Sequence, residues 1–337
     1  MYFCFVGLII FSYFIWNKMN RKLVLLFFSI TIGIIYSLRS IETGNDTEQY
    51  YYYYITVINK SLTNPFIVYF EPLYHFIISR SPSFQFYLFI VTFLTMLLIS
   101  LTFRFKKTWL SGFLLLILFG FFNVATDQSR QLLGLSLFIY LIDKLGSRRV
   151  FISGLIAGLV HVSNIIISPF IYFFVFLERK KKNIPNILYF LLLLFSIILA
   201  IKKYFEYIVF YFLSIYIPSS AYLRKQFYSS DDIGLGLMIY RSFFVFILIS
   251  FFYHKKKSIG FNILFIGLLL QIASVGFMPI ERIGNSLFYL GLLLSSKKEL
   301  ILNSRNWKVI IVYLYALLYF IQTNIMDIEK NGSVPWV

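Results

Sequence analysis

Three arginines stand at the mouths of apolar segments, and the residues around them decide what they are for. Arg130, in "TDQSRQLLGLSL", opens a helix-like run with Asp127 three residues before it as a cap. A cation in the first turn of a helix faces the positive end of the macrodipole, whereas the exposed N–H groups there suit a phosphate. An anionic ligand removes that conflict. The plainer alternatives are an ion pair with Asp127 or a side chain reaching up to lipid headgroups. Arg282, in "MPIERIGNSLF", repeats the situation just inside a helix start after Pro279, with Glu281 beside it as a local neutraliser. Arg39 differs because it ends a helix, where the dipole favours a cation, and by itself it reads as an interfacial anchor.

Three further side chains have the chemistry to move a proton or hold an alcohol. Glu71 lies beside Pro72 in an apolar stretch, where a carboxylate needs either a partner or a proton. Desolvation there is expected to raise its pKa, as a general base requires, unless an arginine pairs with it. His161 can hydrogen-bond a hydroxyl, bind phosphate or take a proton near neutral pH, although a lone histidine in apolar surroundings is more often structural. Asp46 follows Gly44, whose freedom permits a tight turn, and stands either as a functional acid or as the N-cap of the tyrosine run Tyr50 to Tyr54. Those tyrosines form an interfacial aromatic belt on the simplest reading, and rings of that kind also stack on sugars.

The elements that must hold these residues are membrane helices. With 59% hydrophobic, 21% aromatic and 13% charged residues, a soluble globule would lack the polar surface to cover its core. Apolar segments of about 20 residues match a bilayer core, and none shows the period-two alternation of a barrel strand. The expected architecture is an all-α integral membrane protein, a polytopic helical bundle of about 10–12 spans with short re-entrant or interfacial helices on its outer side. The spans fall near 2–16, 23–38, 85–103, 109–125, 130–145, 150–163, 165–177, 184–201, 233–253, 259–277, 282–296 and 307–325. The first has no basic residue before it and Lys18, Arg21 and Lys22 after it, so it is read as a retained helix entering from outside. The chain, 1–337, is expected to form a single membrane domain.

Six loops hold 20 of the 31 Lys and Arg residues, which makes those loops cytoplasmic. The net charge of +17 is then an excess at one face and no argument for nucleic acid. Two long outer segments result, about 39–84 and 202–232, and within the first Phe66 to Ile78 is expected to lie in the interface or re-enter the membrane. Val150 to Leu177 would be about 42 Å long as one helix, and a single span would put the basic run "ERKKK" outside and break the alternation, so a hairpin turning near "HVSN" is expected, carrying His161 outward. Such a scheme collects Arg39, Asp46, Glu71, Arg130, His161 and Arg282 on one face. Cys4 is the one cysteine, and His75, His161 and His254 lie far apart, so neither a disulfide framework nor a zinc site is expected.

The order "R…TGNDTEQYYYYY…FEPLYHFI…RQLLGLSLFIY…GLIAGLVHVSNIIISP…RIGNSLFYL", from Arg39 to about Leu290, resembles the EpsG/Wzy-type polysaccharide polymerases of bacterial envelopes. The match falls on Arg39, Gly44, Asp46, Thr47, Tyr50, Glu71, Arg130, Gln131, His161, Ser163 and Arg282, while Asn164 stands where a small residue usually follows H-x-S. The resemblance implies glycosyl transfer from a glycan on undecaprenyl pyrophosphate onto a lipid-linked repeat unit, at the periplasmic face of the bacterial inner membrane. It implies contact with membrane lipids and a chain-length regulator as partner, and neither nucleic acid nor cofactor. Arg130 and Arg282, assisted by Arg39, would then hold the pyrophosphate in place of a metal. Glu71, His161 and Asp46 compete for the base and acceptor-orienting roles, and Tyr50, Gln131 and Ser163 are assigned to substrate contact.

Two other functions use the same ligand. A flippase for lipid-linked oligosaccharide needs charges along a path through the bilayer, and repeats are common among transporters; the expected spans are nearly free of internal charge and no repeat is evident. An O-antigen ligase normally carries one large periplasmic loop, in contrast to the two modest ones here.

Overall fold

Apolar runs broken by Pro, Gly and basic loops become helices. The structure, a computed structural model, describes residues 21–39, 41, 47–59, 71–102, 108–118, 129–146, 149–179, 185–201, 235–252, 258–274, 278–296, 300 and 306–321. Among them there are 13 helices and no strand: α1 (Arg21–Ser37), α2 (Thr47–Ile58), α3 (Pro72–Ser79), α4 (Phe84–Thr102), α5 (Thr108–Leu118), α6 (Ser129–Leu145), α7 (Val150–Gly158), α8 (Ser163–Arg179), α9 (Asn186–Ile201), α10 (Leu235–Phe252), α11 (Ile259–Ala273), α12 (Met278–Ser295) and α13 (Trp307–Ile321). Every expected span from residue 23 onward overlaps one of these, although the end of the span 109–125 lies outside the described residues. The segment 2–16, Asp127 and the stretch 202–232 lie outside the described residues. Phe84–Thr102 is the one described helix that meets the length and apolarity needed to cross a membrane, and several shorter apolar helices accompany it.

The chain divides into two compact units, Met1–Phe173 with Ser296–Val337, and Phe174–Ser295. In the first, α4 packs on α1 and α6, α7 packs on α6, and α13 packs on α5. Ser83 starts α4 by accepting the Phe86 N–H at 3.1 Å, which supplies one of the bonds that a helix end lacks. The tyrosine run is α2, and its inner face is structural: Tyr50 and Tyr54 join Tyr74, Phe84, Tyr87 and Leu133 in one buried cluster. Tyr54 donates to the Ser81 carbonyl at 3.2 Å, so a ring that fills core volume also satisfies a chain turn. Tyr52, on the opposite face of α2, is exposed.

Val150 to Leu177 is a hairpin, as its length required: α7 ends at Gly158 and α8 begins at Ser163, with His161 in the turn. Two glycines one helical turn apart bring the legs together. A Cβ on Gly154 would meet Ser168 Cβ at 2.6 Å, and one on Gly158 would collide with Ile165. This is the small-xxx-small pattern that lets apolar helices approach closely. Pro169 sits inside α8 and withholds the N–H that would serve the Ile165 carbonyl. The Ser168 hydroxyl takes its place, donating to Ile165 O at 2.8 Å.

In the second unit, α11 packs along α12 and also contacts α9 and α10. Gly260 faces Ser295, Gly267 faces the backbone of Phe288, Gly291 faces that of Leu264, and Gly284 faces Gln271, an antiparallel register with backbone nearly against backbone. Polar groups lock the seam: Gln271 Nε2 donates to Asn285 Oδ1 at 2.6 Å, and Tyr189 of α9 donates to Asn262. Ser258 caps α11 by accepting the Phe261 N–H at 3.3 Å. Since a Cβ at Gly267 has backbone in front of it, Gly267→Leu should lower stability by about 1–3 kcal/mol or more through overpacking. Thermal melting of the purified protein against an Ile239→Leu control checks this, because Ile239 is exposed on α10 and the exchange conserves its volume.

Candidate active site

Glu71 is the residue immediately before α3, and Pro72 occupies the first helical position, where its missing N–H is no loss. Such a residue would ordinarily turn its side chain back to cap its own helix. Glu71 does not, and its carboxylate, wholly buried, reaches across to the α7–α8 turn and to the start of α6. Oε1 accepts from His161 Nδ1 at 2.5 Å and from the Val162 backbone N–H at 3.1 Å, and Oε2 accepts from Arg130 Nη1 at 2.7 Å. The backbone repeats this connection, with the Leu73 N–H donating to Leu159 O at 3.0 Å. The start of α3 is thereby stitched to the turn that carries the histidine.

A carboxylate, a guanidinium and an imidazole meet in little volume. The anion that the mouth of α6 calls for is present within the protein, because Glu71 supplies it to Arg130. The Arg130 guanidinium also lies over the Tyr74 ring, 5.3 Å from its centre, and Tyr74 is held from behind by a 2.7 Å hydrogen bond with Tyr87. Tyr53 of α2 stacks on Tyr74 and its hydroxyl meets His75 Nδ1 at 2.9 Å. Burial pushes the Tyr53 hydroxyl up to about 12, eased by the Arg130 charge and reinforced by that of Glu71, so it stays protonated. Arg130 and His161 keep 22% and 18% of their side-chain surface exposed while Glu71 keeps none, so any ligand meets the guanidinium and the imidazole and not the carboxylate.

The expectation that burial would raise the Glu71 pKa is corrected by this geometry. Burial does push upward, and it is the largest single influence. The bond from His161, the positive charge of Arg130, the charge that His161 carries when protonated and the Val162 N–H together outweigh it, and the carboxyl is held below its ordinary value. Glu71 is thus an ionised, fully hydrogen-bonded anion. Since an ionised carboxylate only accepts, His161 must carry a proton on Nδ1.

The position of the histidine is set by its neighbours. Asn164 is completely buried and donates from Nδ2 to the His161 carbonyl at 3.0 Å, and its own backbone N–H donates to the same oxygen at 3.1 Å. Opposite stands Gly134 of α6, one helical turn beyond Arg130. A Cβ there would collide with Asn164 Nδ2 and would meet His161 Cβ at 3.3 Å. Gly134 therefore lets α6 approach the turn closely enough for Arg130 and His161 to share one carboxylate.

The other residues singled out from the sequence are distributed as follows. Arg39 is buried just past the end of α1 with its guanidinium 5.7 Å from the centre of the Tyr36 ring. Tyr50 and Gln131 are buried, and Tyr50 lies near enough to Arg130 to interact with its charge. Ser163 begins α8, and its hydroxyl has no hydrogen-bond partner among the described residues. Gly44 and Asp46 lie outside the described residues. Arg282 belongs to the second unit, near the start of α12, and the carboxylate of its neighbour Glu281 accepts from Arg241 Nη2 of α10 at 2.6 Å. Sequence reasoning passed over Arg241, although a lone arginine inside "LMIYRSFFVFILI" was a visible signal. Tyr74 was missed as well; it lies on the helical face that follows Glu71.

Among the described residues, all of whose regular elements are helices, an arginine, a histidine and a buried glutamate meet at the ends of apolar segments. The chain belongs to the EpsG family, whose model matches residues 22–336, and this family includes Wzy-like polymerases. Membership supports a polysaccharide polymerase-like role and a membrane location. No curated protein and no solved structure matches the chain.

The Glu71 arrangement makes a pH prediction. Because its carboxyl is lowered on folding, the stability it contributes is complete above its ordinary value of 4.5 and is lost as pH falls through the lower folded value. Melting temperature followed from pH 7 downward should fall in that acid range, and Glu71→Gln should start lower and show a flatter acid limb. An unchanged limb in the variant would show that the carboxylate carries no such linkage.

Proposed function

We propose that Glu71, His161 and Arg130 form the reaction centre of a polysaccharide polymerase. It transfers a growing glycan from undecaprenyl pyrophosphate onto a lipid-linked repeat unit at the periplasmic face of the inner membrane. The observation that carries this reading is the single carboxylate shared by an imidazole and an arginine at 2.5 and 2.7 Å. With Nδ1–H given to Glu71, the basic nitrogen of His161 is Nε2, and Glu71 orients the ring and stabilises the charge it gains. His161 is then the base and Glu71 the residue that positions it.

In the step itself, the acceptor hydroxyl oxygen bonds to the anomeric carbon of the donor sugar while the bond from that carbon to the phosphate oxygen breaks. The electron pair leaves with the diphosphate, and the hydroxyl proton passes to His161. The cluster is neutral beforehand, with Arg130 positive, Glu71 negative and the imidazole uncharged. It becomes positive as the leaving group becomes more negative, so proton transfer strengthens the field when the departing anion needs it. Arg130 faces that anion at the mouth of α6, where the backbone N–H groups add to it. Arg39 assists Arg130 in holding the diphosphate in this reading. Asp46 orients the acceptor, Ser163 contacts the carbohydrate, and Tyr50 and Gln131 support the site from within.

The test replaces these residues singly in cells that make a long-chain surface glycan, with protein levels matched. His161→Ala should cut chain extension by about 10²–10⁴-fold, the range for a lost general base. Arg130→Gln should cost about 10²–10³-fold. Surface glycan would then consist of single repeat units, whereas loss of a flippase would leave none outside. Normal chain lengths in both variants would remove the assignment, and lipid-linked long chains that never reach the final carrier would indicate a ligase.

A further inference from the structure

The mechanism leaves one pair of hydrogen-bonding side chains beside the reaction centre unused. Tyr53 of α2 and His75 of α3 share a 2.9 Å bond between the phenol oxygen and Nδ1, and both residues stay partly exposed. Tyr50, Tyr54, Tyr74 and Tyr87, which pack the same wall from within, are all buried. Position ties the pair to the charges. His75 follows Glu71 by one helical turn, and its backbone N–H donates to the Glu71 carbonyl at 3.0 Å. The Tyr53 ring lies nearly parallel to that of Tyr74, the ring over which the Arg130 guanidinium sits. The charges of Arg130 and Glu71 both reach the Tyr53 hydroxyl, and all of these residues belong to the first unit.

We infer that Tyr53 and His75 form a carbohydrate subsite that grips a sugar hydroxyl of the substrate beside Glu71, His161 and Arg130. This rests on the reading above in which those three residues carry the transfer. The hydrogen-bonding pattern of the pair suits an alcohol in either tautomer of the histidine. With the phenol proton given to Nδ1, Tyr53 keeps lone pairs to accept and His75 keeps an Nε2–H to donate. With Nδ1 protonated instead, Tyr53 donates and Nε2 accepts. Each arrangement offers one donor and one acceptor without charge, the complement of a hydroxyl group, whereas a diphosphate only accepts and is better served by Arg130. Stacking on buried Tyr74 fixes the phenol oxygen in advance, so less order is lost when a sugar binds. As a mere tie between α2 and α3 the bond would add little, because a neutral hydrogen bond that water can replace is weak in net terms. Within the tyrosine run the sugar contact then falls to Tyr53, one turn beyond the buried Tyr50.

Kinetics can separate sugar contact from anion contact and from a structural tie. Full-length protein reconstituted in phospholipid vesicles would be assayed with lipid-linked repeat units from the same cells as donor. The acceptor would be the repeat-unit oligosaccharide on a short alkyl chain, which has no diphosphate and so can only be extended. Inorganic pyrophosphate competes for the cationic site alone. Tyr53→Phe should raise KM for at least one of the two sugar substrates by about 3–10-fold, the order expected for one neutral hydrogen bond. The pyrophosphate inhibition constant and the melting temperature should stay at the parent values. A rise confined to the alkyl glycoside assigns the subsite to the acceptor, and one confined to the lipid-linked unit assigns it to the donor sugar. His75→Phe, which keeps an aromatic ring, should raise the same KM. Arg130→Gln should show the opposite split, weakening pyrophosphate about tenfold or more while the acceptor KM is kept.

The inference is wrong if KM for both substrates stays at the parent level in Tyr53→Phe or in His75→Phe, or if only kcat falls. It is equally wrong if KM rises only together with the pyrophosphate constant and a lower melting temperature, since the pair is then a structural tie. Should Tyr53→Phe fail to accumulate, His75→Phe decides by the same constants. If His161→Ala and Arg130→Gln extend chains normally, the reaction centre itself is misassigned, whatever Tyr53→Phe does.

Discussion

A carboxylate with no exposed surface has to be surrounded by donors, and the first unit of this protein is arranged around meeting that demand for Glu71. The donors come from distant parts of the chain: Arg130 from the mouth of α6, and His161 and the Val162 N–H from the turn between α7 and α8. Removing one partner would leave charge stranded in low dielectric, which is far more destabilising than never having made the pair. The requirement therefore fixes where α3 begins, how close α6 comes to the hairpin and which tautomer the histidine adopts.

The close approaches in the fold serve the same end. Gly154 and Gly158 draw the hairpin legs together, and Gly134 lets α6 settle against the turn that they create. Tyr74 and Tyr87 back the guanidinium of Arg130, while Tyr50 and Tyr54 bury the inner face of α2 beside them. The tyrosine-rich segment thus acts as a wall behind the charges, with Tyr52 on its outward face. In the second unit the glycine seam of α11 and α12 performs the corresponding task for Arg241, Glu281 and the turn that carries Arg282.

Much of this was legible before any coordinates. Apolar length located the helices, and the need to keep the basic run after Leu177 on the same side as the other basic loops called for the break that places His161 in a turn. Arg130, Glu71 and His161 were all recognisable as residues too costly to keep without purpose. What could not be read was their meeting, because the partners lie 59 and 90 positions apart and periodicity carries no information at that range. The direction of the Glu71 pKa followed from those partners and so was misjudged from burial alone. The pairing of Glu281 with Arg241 escaped for the same reason: its chain neighbour Arg282 is visible in the sequence, whereas an arginine 40 positions away on α10 is not.

If the proposed chemistry holds, Glu71 orients an imidazole whose proton sits on Nδ1 and whose other nitrogen meets the acceptor. Nitrogen-15 NMR of the His161 ring, in protein labelled at histidine and lacking His75 and His254, observes this directly. Near neutral pH the account predicts the Nδ1–H tautomer with a strongly hydrogen-bonded, downfield proton that shifts when Glu71 is replaced by Gln. A ring protonated on Nε2 alone, or one whose signals ignore the Glu71 substitution, would contradict the shared carboxylate on which the rest depends.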